Sequence, residues 1–171
     1  MPSPYITPTG QKVLTEEIKW LWKHKRPYAT RKVKEAAALG DRSENADYHY
    51  NKRLLREIDR RIAYLSKRLD ILQVVDRAPK DEGRVFFGAW IDLEHDQAIR
   101  TYRIVGPDEI DFAPHYISID APLARAVIGK HCDDRTRFGR IAAIRYDVAG
   151  DDASLEFEAL IKRFQHFPMQ L

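Results

Sequence analysis

Two carboxylates separated by two residues, Asp41 and Glu44, lie in a short polar segment, residues 40–48 (GDRSENADY). Carboxylate oxygens are ligands that Mg²⁺ prefers, but this ion keeps several waters, and two carboxylates alone bind it weakly. A cation held here would therefore need further carboxylates or phosphates from a partner. An ion bound in this way can orient and ionise a water molecule for attack on a phosphodiester.

The same segment also has a structural interpretation. Asp41 and Glu44 have the spacing of a capping box, in which an N-cap residue and a glutamate three positions later satisfy the first amides of a helix. Ser43 is an equally suitable N-cap, and acidic residues in a first turn complement the helix dipole. The spacing alone favours capping over metal binding, so the flanking segments are needed to distinguish the two interpretations.

Residues 40–48 join two helical patterns. Thr7 followed by Pro8 predicts the start of the first helix, because threonine caps it and proline needs no amide partner there. Pro27 is expected to kink this helix, and Gly40 is expected to end it in a left-handed conformation. The second helix is predicted to start near Ser43.

Apolar residues of both helices recur every three or four positions. The second helix carries Leu55, Ile58, Ile62, Leu65, Leu69 and Leu72. The first carries Leu14, Ile18 and Leu21, and the same register continues through Lys25, Tyr28, Lys32, Glu35 and Leu39. Because Leu21 and Leu65 lie equally far from residue 43, the pattern predicts an antiparallel coiled coil about 45 Å long, with residues 40–48 at its tip.

Basic side chains follow one stripe of the second helix behind the acidic tip. The stripe contains His49, Arg53, Arg56, Arg60 and Lys67, with Lys52 and Arg61 beside it. Such cations would hold a polynucleotide close to a metal ion at the tip, whereas the alternative is a solvated face of an exposed helix. Acidic residues at the end with basic residues behind them favour the polynucleotide interpretation.

The composition limits the class of protein. Of 171 residues, 44% are apolar, which suffices for a core, and 32% are charged. Residues 1–76 contain 16 Lys and Arg against 10 Asp and Glu, so this half is expected to face nucleic acid or an acidic protein. The single Cys132 allows no disulfide framework, and the sequence shows neither an export signal nor an apolar run of about 18 residues. We therefore expect a cytoplasmic protein with no membrane contact.

After a linker at residues 78–83 (APKDEG), the hydrophobic period changes from helical to alternating. Strands are predicted at residues 84–93, 99–105, 116–120 and 140–146, and a short helix is predicted at residues 122–128. The chain is thus predicted to be α+β, with an antiparallel coiled-coil hairpin over residues 1–77 and a small antiparallel sheet domain over residues 84–149. A tail of unknown role, residues 150–171, contains a stretch compatible with a helix.

Several motifs resemble the GreA/GreB family of bacterial transcript cleavage factors. The tip segment GDRSENADY is followed by YNKRLLREIDRRI, and the second half contains EGRVFFGAWIDLE, YRIVGPDEID and YISIDAPLARAVIGK. Motifs of this length are highly specific, and they cover roughly residues 5–134 and 143–147.

The resemblance implies an FKBP-like fold for residues 84–149 and a role for them in docking on bacterial RNA polymerase, whose secondary channel the coiled coil enters. The factor is then a monomeric cofactor and not itself an enzyme. Asp41 and Glu44 help aspartates of the polymerase to hold a second Mg²⁺ and an attacking water when the nascent RNA 3′ end is extruded by backtracking. Further roles implied by the resemblance are tip support by Ser43 and Asn45, RNA binding by Lys52, Arg53, Arg56 and Arg60, and polymerase docking by Asp120 and Pro122.

The sequence departs from the family pattern between residues 135 and 142, where the family has a longer hairpin, so edge strands are expected to be shortened there. A non-cleaving regulator of the same channel is the alternative function, although the presence of both tip carboxylates argues against it. A peptidyl-prolyl isomerase is a third class, supported by the expected fold of the second domain alone.

Overall fold

The computed structural model describes residues 1–146 and 157–162, and these fall into two compact units. One unit, here called the hairpin unit, contains residues 12–71 and 157–162. The other, the sheet unit, contains residues 1–11 and 72–146. The division differs from the predicted one because the first eleven residues, assigned to the coiled coil from the sequence, pack with the sheet.

Three consecutive helical segments form the first arm of the hairpin. They are α1 (Pro8–Trp20), a π-helical turn (Leu21–Lys25) and α2 (Arg26–Ala37). The start of α1 agrees with the prediction, since the hydroxyl of Thr7 accepts a hydrogen bond of 3.0 Å from the amide of Gly10. The interruption predicted from Pro27 is the π turn, in which the amide of Arg26 donates to the carbonyl of Leu21, five residues earlier.

This π turn shifts the buried face of the arm by one residue. A π turn takes up one residue more than an α turn, so the predicted register through Leu21 and Tyr28 cannot continue beyond it. The buried positions after Leu21 are Ala29 and Ala36, whereas Tyr28 is half-buried and Leu39 is 79% exposed. The tip half of the arm therefore packs through two alanines.

The second arm is a single helix, α3 (Ala46–Ile71), antiparallel to the first. Arg61 donates two hydrogen bonds of 2.7 and 2.9 Å to Glu17, and nearer the tip Arg26 meets Asp59 at 2.7 Å. The buried residues of α3 are Leu54, Ile58, Ile62, Leu65 and Arg68. Three of these are predicted seam residues, while Leu54 is buried in place of the half-buried Leu55.

The sheet unit contains two β-sheets. A small one joins β1 (Tyr5–Ile6) and β2 (Gln73–Val74) in parallel. The larger one has the strand order β5-β4-β3-β7-β6, with the strands β3 (Trp90–His95), β4 (Ala98–Val105), β5 (Tyr116–Ser118), β6 (Arg135–Thr136) and β7 (Gly139–Arg145). A 3₁₀ turn (Ile110–Phe112) and helix α4 (Pro122–Val127) connect its strands. The core contains Val85, Ala89, Ile91, Leu93, Ile104, Ala124, Val127 and Ile141, and the α+β class is confirmed.

Two details of the sheet differ from the prediction. Strand β5 runs parallel to β4, because the chain crosses over through residues 106–115 and does not turn back in a hairpin. Strand β3 begins at Trp90, not at residue 84, since Val85 bonds instead to the backbone of residues 129 and 130, and a turn at Phe86 follows it. The edge strand β6 has two residues, in line with the shortening expected there.

Most of the predicted tail, residues 150–156 and 163–171, lies outside the described residues. Residues 157–162 are helical, and Leu160 is buried. Within the described part of the chain, no helix has the length and apolar character needed to cross a lipid bilayer.

A buried glutamate holds the N-terminal segment in the sheet unit. Glu109 is 1% exposed, and its carboxylate accepts hydrogen bonds from the hydroxyl of Thr7, from the amide of Thr7 at 3.1 Å and from the amide of Gly106 at 2.8 Å. The first turn of α1 comes so close that a Cβ atom on Gly10 would lie 2.2 Å from Oε1 of Glu109. A carboxylate at this end of a helix also complements the helix dipole.

The buried position of Glu109 makes the stability of the protein depend on pH. Burial raises the pKa of Glu109 above its ordinary value of 4.5, against the opposing effect of its hydrogen bonds to Thr7 and Gly106. The folded state then binds this proton more tightly than the unfolded state, so the contribution to stability is complete below the unfolded pKa and is lost as the pH rises through the folded pKa.

We expect the difference in unfolding free energy between the wild-type protein and Glu109→Gln to fall as the pH rises from about 4.5 toward neutrality. Urea unfolding at several pH values measures it. Gln97→Ala, a substitution at an exposed position of the sheet unit that removes no titratable group, is the control and should show no such slope. A difference that stays constant with pH would contradict the role assigned to the buried carboxyl group.

Candidate functional site

The tip of the hairpin is the loop between α2 and α3, residues 38–45. Gly40 has a φ of 117°, the left-handed conformation predicted for it. Asp41, Arg42, Ser43 and Glu44 follow, and all four are exposed. The loop therefore presents both candidate carboxylates to solvent.

One asparagine ties the loop to both helices. The side-chain oxygen of Asn45 accepts a hydrogen bond of 3.0 Å from the amide of Tyr48, which makes Asn45 the N-cap of α3. Its side-chain nitrogen donates to the carbonyl of Ala36, near the end of α2, at 2.7 Å. A single side-chain amide therefore bonds to both helix ends and closes the loop between them, although the Ala36 carbonyl also accepts the amide of Leu39 at 3.2 Å.

Because Asn45 caps α3, the capping interpretation of the two carboxylates is wrong. Helix α3 begins at Ala46, so Asp41 and Glu44 both precede the N-cap and cannot form a capping box. Ser43, the other predicted cap, also precedes it. Sequence reasoning placed the helix start three residues too early because aspartate, serine and asparagine are all good caps and all three occur in this segment.

Asp41 instead organises the loop itself. Its Oδ1 accepts hydrogen bonds from the amide of Ser43 at 2.8 Å and from the hydroxyl of Ser43 at 2.7 Å. The hydroxyl bond and then the amide bond hold the pKa of Asp41 below its ordinary value. The two bonds also fix the orientation of the Asp41 carboxylate, which remains exposed to solvent.

The donor set at the tip suits a hard cation but is incomplete for one. Asp41 and Glu44 offer carboxylate oxygens, which Mg²⁺ prefers over nitrogen or sulfur. Over residues 1–146 and 157–162, no three or more acidic, histidine or cysteine residues gather into a metal-binding group. The tip therefore fits the metal only as a partial ligand set, which a partner with its own carboxylates would complete.

Cations surround the tip aromatic residue Tyr48. The guanidinium of Arg42 lies 5.9 Å from the ring centroid, and the ammonium of Lys52 lies 5.5 Å from it. His49, next along the helix, has Nε2 3.1 Å from the carbonyl of Ser43. Positive charge thus begins within one helical turn of the two carboxylates.

The four predicted RNA-binding residues lie on α3 and are all exposed, namely Lys52, Arg53, Arg56 and Arg60. Arg61, which the sequence placed beside them, is instead engaged across the hairpin by Glu17. The exposed cations continue behind the tip for about two helical turns. Their arrangement allows contact with a polyanion that runs along α3.

The two predicted docking residues lie in the sheet unit, between β5 and α4. The Asp120 carboxylate accepts hydrogen bonds from the hydroxyl of Ser3 and from its amide at 2.8 Å, while the exposed Pro122 begins α4. The Ser3 hydroxyl and then its amide hold the pKa of Asp120 below its ordinary value. Nothing in the sequence signals the contact between Ser3 and Asp120, because 117 residues separate them.

Comparison with protein families gives two matches that together cover most of the chain. A family described as "Transcription elongation factor, N-terminal" matches residues 4–74. A second, described as "Transcription elongation factor, GreA/GreB, C-term", matches residues 79–149. Both belong to the GreA/GreB family that the sequence motifs resemble.

Several curated proteins are similar over most of their length. Transcription elongation factor GreB of Haemophilus influenzae is 58% identical over 136 residues, which cover 79% of this chain and 86% of the relative. GreB of Haemophilus ducreyi is 60% identical over 133 residues, covering 77% and 82%. GreB of Yersinia pestis is 56% identical over 133 residues, covering 77% and 78%.

Solved structures of distant relatives are also similar. The crystal structure of GreA factor homolog 1 of Thermus thermophilus is 20% identical and covers 82% of this chain and 97% of its own, with a TM-score of 0.40.

The two bonds of Asn45 predict its contribution to stability. Asn45→Ala removes the cap of α3 and the bond to Ala36, and we expect it to lower the free energy of unfolding by about 1–3 kcal/mol. Urea unfolding measures this loss, and faster hydrogen exchange of the Tyr48 amide localises it.

The matched control is Asn51→Ala. Asn51 donates one amide bond of 2.8 Å to the carbonyl of Asp47 inside the exposed part of α3. We expect this control to cost less than about 0.5 kcal/mol. Equal losses for both variants would show that Asn45 has no special role in closing the loop.

Proposed function

Because this chain belongs to the GreA/GreB family and is a transcription elongation factor, we propose that it stimulates cleavage of nascent RNA by backtracked bacterial RNA polymerase. In this proposal the hairpin enters the secondary channel with its tip foremost. The observation that supports this proposal best is the exposure and conformation of the tip carboxylates. Asp41 and Glu44 are exposed and take no part in capping α3, and the Asp41 carboxylate is oriented by two hydrogen bonds from Ser43.

The proposed roles of the tip residues follow from their chemistry. Asp41 and Glu44 would hold a Mg²⁺ ion together with carboxylates of the polymerase. When bound, this ion supplies an ionised water for attack on a phosphodiester. Ser43 orients the Asp41 carboxylate, and Asn45 holds the loop between the two helix ends. The chain thus contributes ligands, and the hydrolytic centre belongs to the polymerase.

The cations on α3 are proposed to bind the extruded RNA 3′ end. Lys52, Arg53, Arg56 and Arg60 are exposed on the helix behind the tip, where phosphates of a single strand would release counterions on binding. This arrangement would keep the RNA beside the carboxylates. The RNA-binding side chains are cations, so they would not compete with the carboxylates for the metal ion.

The loop that contains Asp120 and Pro122 is proposed to dock on the polymerase. Ser3 orients the Asp120 carboxylate in advance, so less conformational freedom is lost when a partner donates to it. We further propose that the protein acts as a monomer in the cytoplasm, where the polymerase is found.

Removal of either tip carboxylate tests the metal role. Asp41→Asn retains an oxygen that accepts both bonds from Ser43, and Glu44→Gln retains the size of the side chain. We expect each to lower the maximal rate of stimulated cleavage by roughly a hundredfold, because each weakens the binding of a metal ion that would contribute several kcal/mol of charge stabilisation in the transition state. Gel analysis of RNA released from backtracked complexes, at saturating factor, measures the rate.

Asp47→Asn is the control, because Asp47 lies in the same segment but inside the first turn of α3. It should retain most of the stimulated rate. If Asp41→Asn and Glu44→Gln also retained it, the metal role of the two carboxylates would be lost. If the wild-type protein itself gave no stimulated cleavage, it would instead be a regulator of the channel that does not cleave.

The docking role predicts a different kinetic effect. Asp120→Ala should raise the factor concentration needed for half-maximal cleavage by about tenfold or more, as expected for loss of a hydrogen bond to a charged group. The rate at saturation should stay unchanged, because the tip is intact. A lower saturating rate with an unchanged half-maximal concentration would contradict a docking role.

A further inference from the structure

Trp22 is an exposed tryptophan of the hairpin unit. It lies in the π turn, next to the buried Leu21, and 52% of its surface is exposed. The sequence suggests only packing or partial exposure for it. A tryptophan held this far out of the core presents a large flat apolar face to a partner.

A cleft of about 440 Å³ adjoins Trp22 on the outer face of the first arm. It is lined by Trp22, Arg26, Pro27, Thr30, Arg31 and Lys34. This lining contains three cations and no carboxylate. Arg26 is paired with Asp59, and Arg31 and Lys34 make the cleft complementary to an anion. It lies on α2 and the π turn, and the predicted RNA-binding residues lie on the other arm, α3.

The positions of the cations relative to the ring favour a particular occupant. The guanidinium of Arg26 lies 5.5 Å from the centroid of the Trp22 ring, with its Nε bound to Asp59. Arg31 and Lys34 are exposed, one to two turns closer to the tip. An indole face beside a row of cations is the combination that binds single-stranded nucleic acid, where bases stack and phosphates pair with the cations.

We propose that this cleft, here called the Trp22 cleft, binds an unpaired nucleotide of single-stranded RNA. The base stacks on the indole of Trp22, and neighbouring phosphates contact Arg31 and Lys34. The inference rests on the proposed function in one respect, since it takes the RNA to be the extruded transcript. Trp22 lies 18 residues before Gly40, or about 27 Å along the arm, so only a longer extruded strand reaches the cleft.

Binding of a short oligo(A) RNA to the full-length protein, without polymerase, tests the cleft directly. Fluorescence anisotropy should show that Trp22→Ala weakens binding by about tenfold, the value of one stacked base, and that Trp22→Phe recovers part of the loss. Arg31→Ala and Lys34→Ala should each reduce the slope of log affinity against log salt by about 0.7, as for one phosphate contact on a single strand.

Tyr64→Ala is the matched control. Tyr64 is also an exposed aromatic of the hairpin, 44% exposed, with the guanidinium of Arg61 5.5 Å from its ring centroid. That guanidinium is engaged by two hydrogen bonds to Glu17, and no base-stacking role is proposed for this ring on α3. Its substitution should change RNA affinity by less than twofold.

Two results would overturn the proposal. One is RNA binding by Trp22→Ala that is unchanged or that falls no further than in Tyr64→Ala. The other is a Trp22→Ala variant that binds RNA as the wild-type protein does but associates more weakly with polymerase, because the partner of the cleft would then be a protein surface. Asp41→Asn separates the cleft from the proposed function, since this variant should lose stimulated cleavage and bind oligo(A) as the wild-type protein does.

Discussion

Pro27 has no amide hydrogen to donate to the carbonyl four residues before it, and the packing of the whole hairpin depends on how the chain accommodates that loss. The helix widens into a π turn over Leu21–Lys25, just before the proline, and so takes up one extra residue. The buried face beyond the turn passes to Ala29 and Ala36. Small side chains fill this face, so the tip half of the arm buries less apolar surface than the base half.

A weakly packed arm needs other means to keep its tip ordered, and polar contacts supply them. Asn45 bridges the ends of α2 and α3, while Ser43 and Asp41 bond within the loop. These bonds use the capping groups of the helices and leave the carboxylates exposed to solvent. The proposed role of the tip, which is to complete a metal ion's ligand set in a partner, requires this combination of an ordered backbone and solvent-exposed carboxylates.

In the sheet unit, a buried carboxyl group attaches the N-terminal segment to the rest of the unit. Glu109 receives the N-terminal segment through Thr7, and Gly10 allows the close approach. The contact between Ser3 and Asp120 adds a second attachment of the same segment, at the loop proposed to dock. The N-terminal residues are therefore part of the sheet unit physically, although they precede the hairpin in the chain.

Local patterns in the sequence determined the α+β class, the two-armed hairpin, the start of α1 at Thr7 and the interruption near Pro27, because each depends on residues close together in the chain. Tertiary structure decided the rest. It decided the register beyond the π turn, the choice of Asn45 over Asp41 and Ser43 as the cap, and the parallel pairing of β5. Each of these depends on how much apolar surface the whole fold buries and on how many backbone groups it provides with hydrogen-bond partners at the same time. Contacts such as those of Glu109 with Thr7 join residues about a hundred positions apart, and no local pattern records which distant partner a side chain will meet.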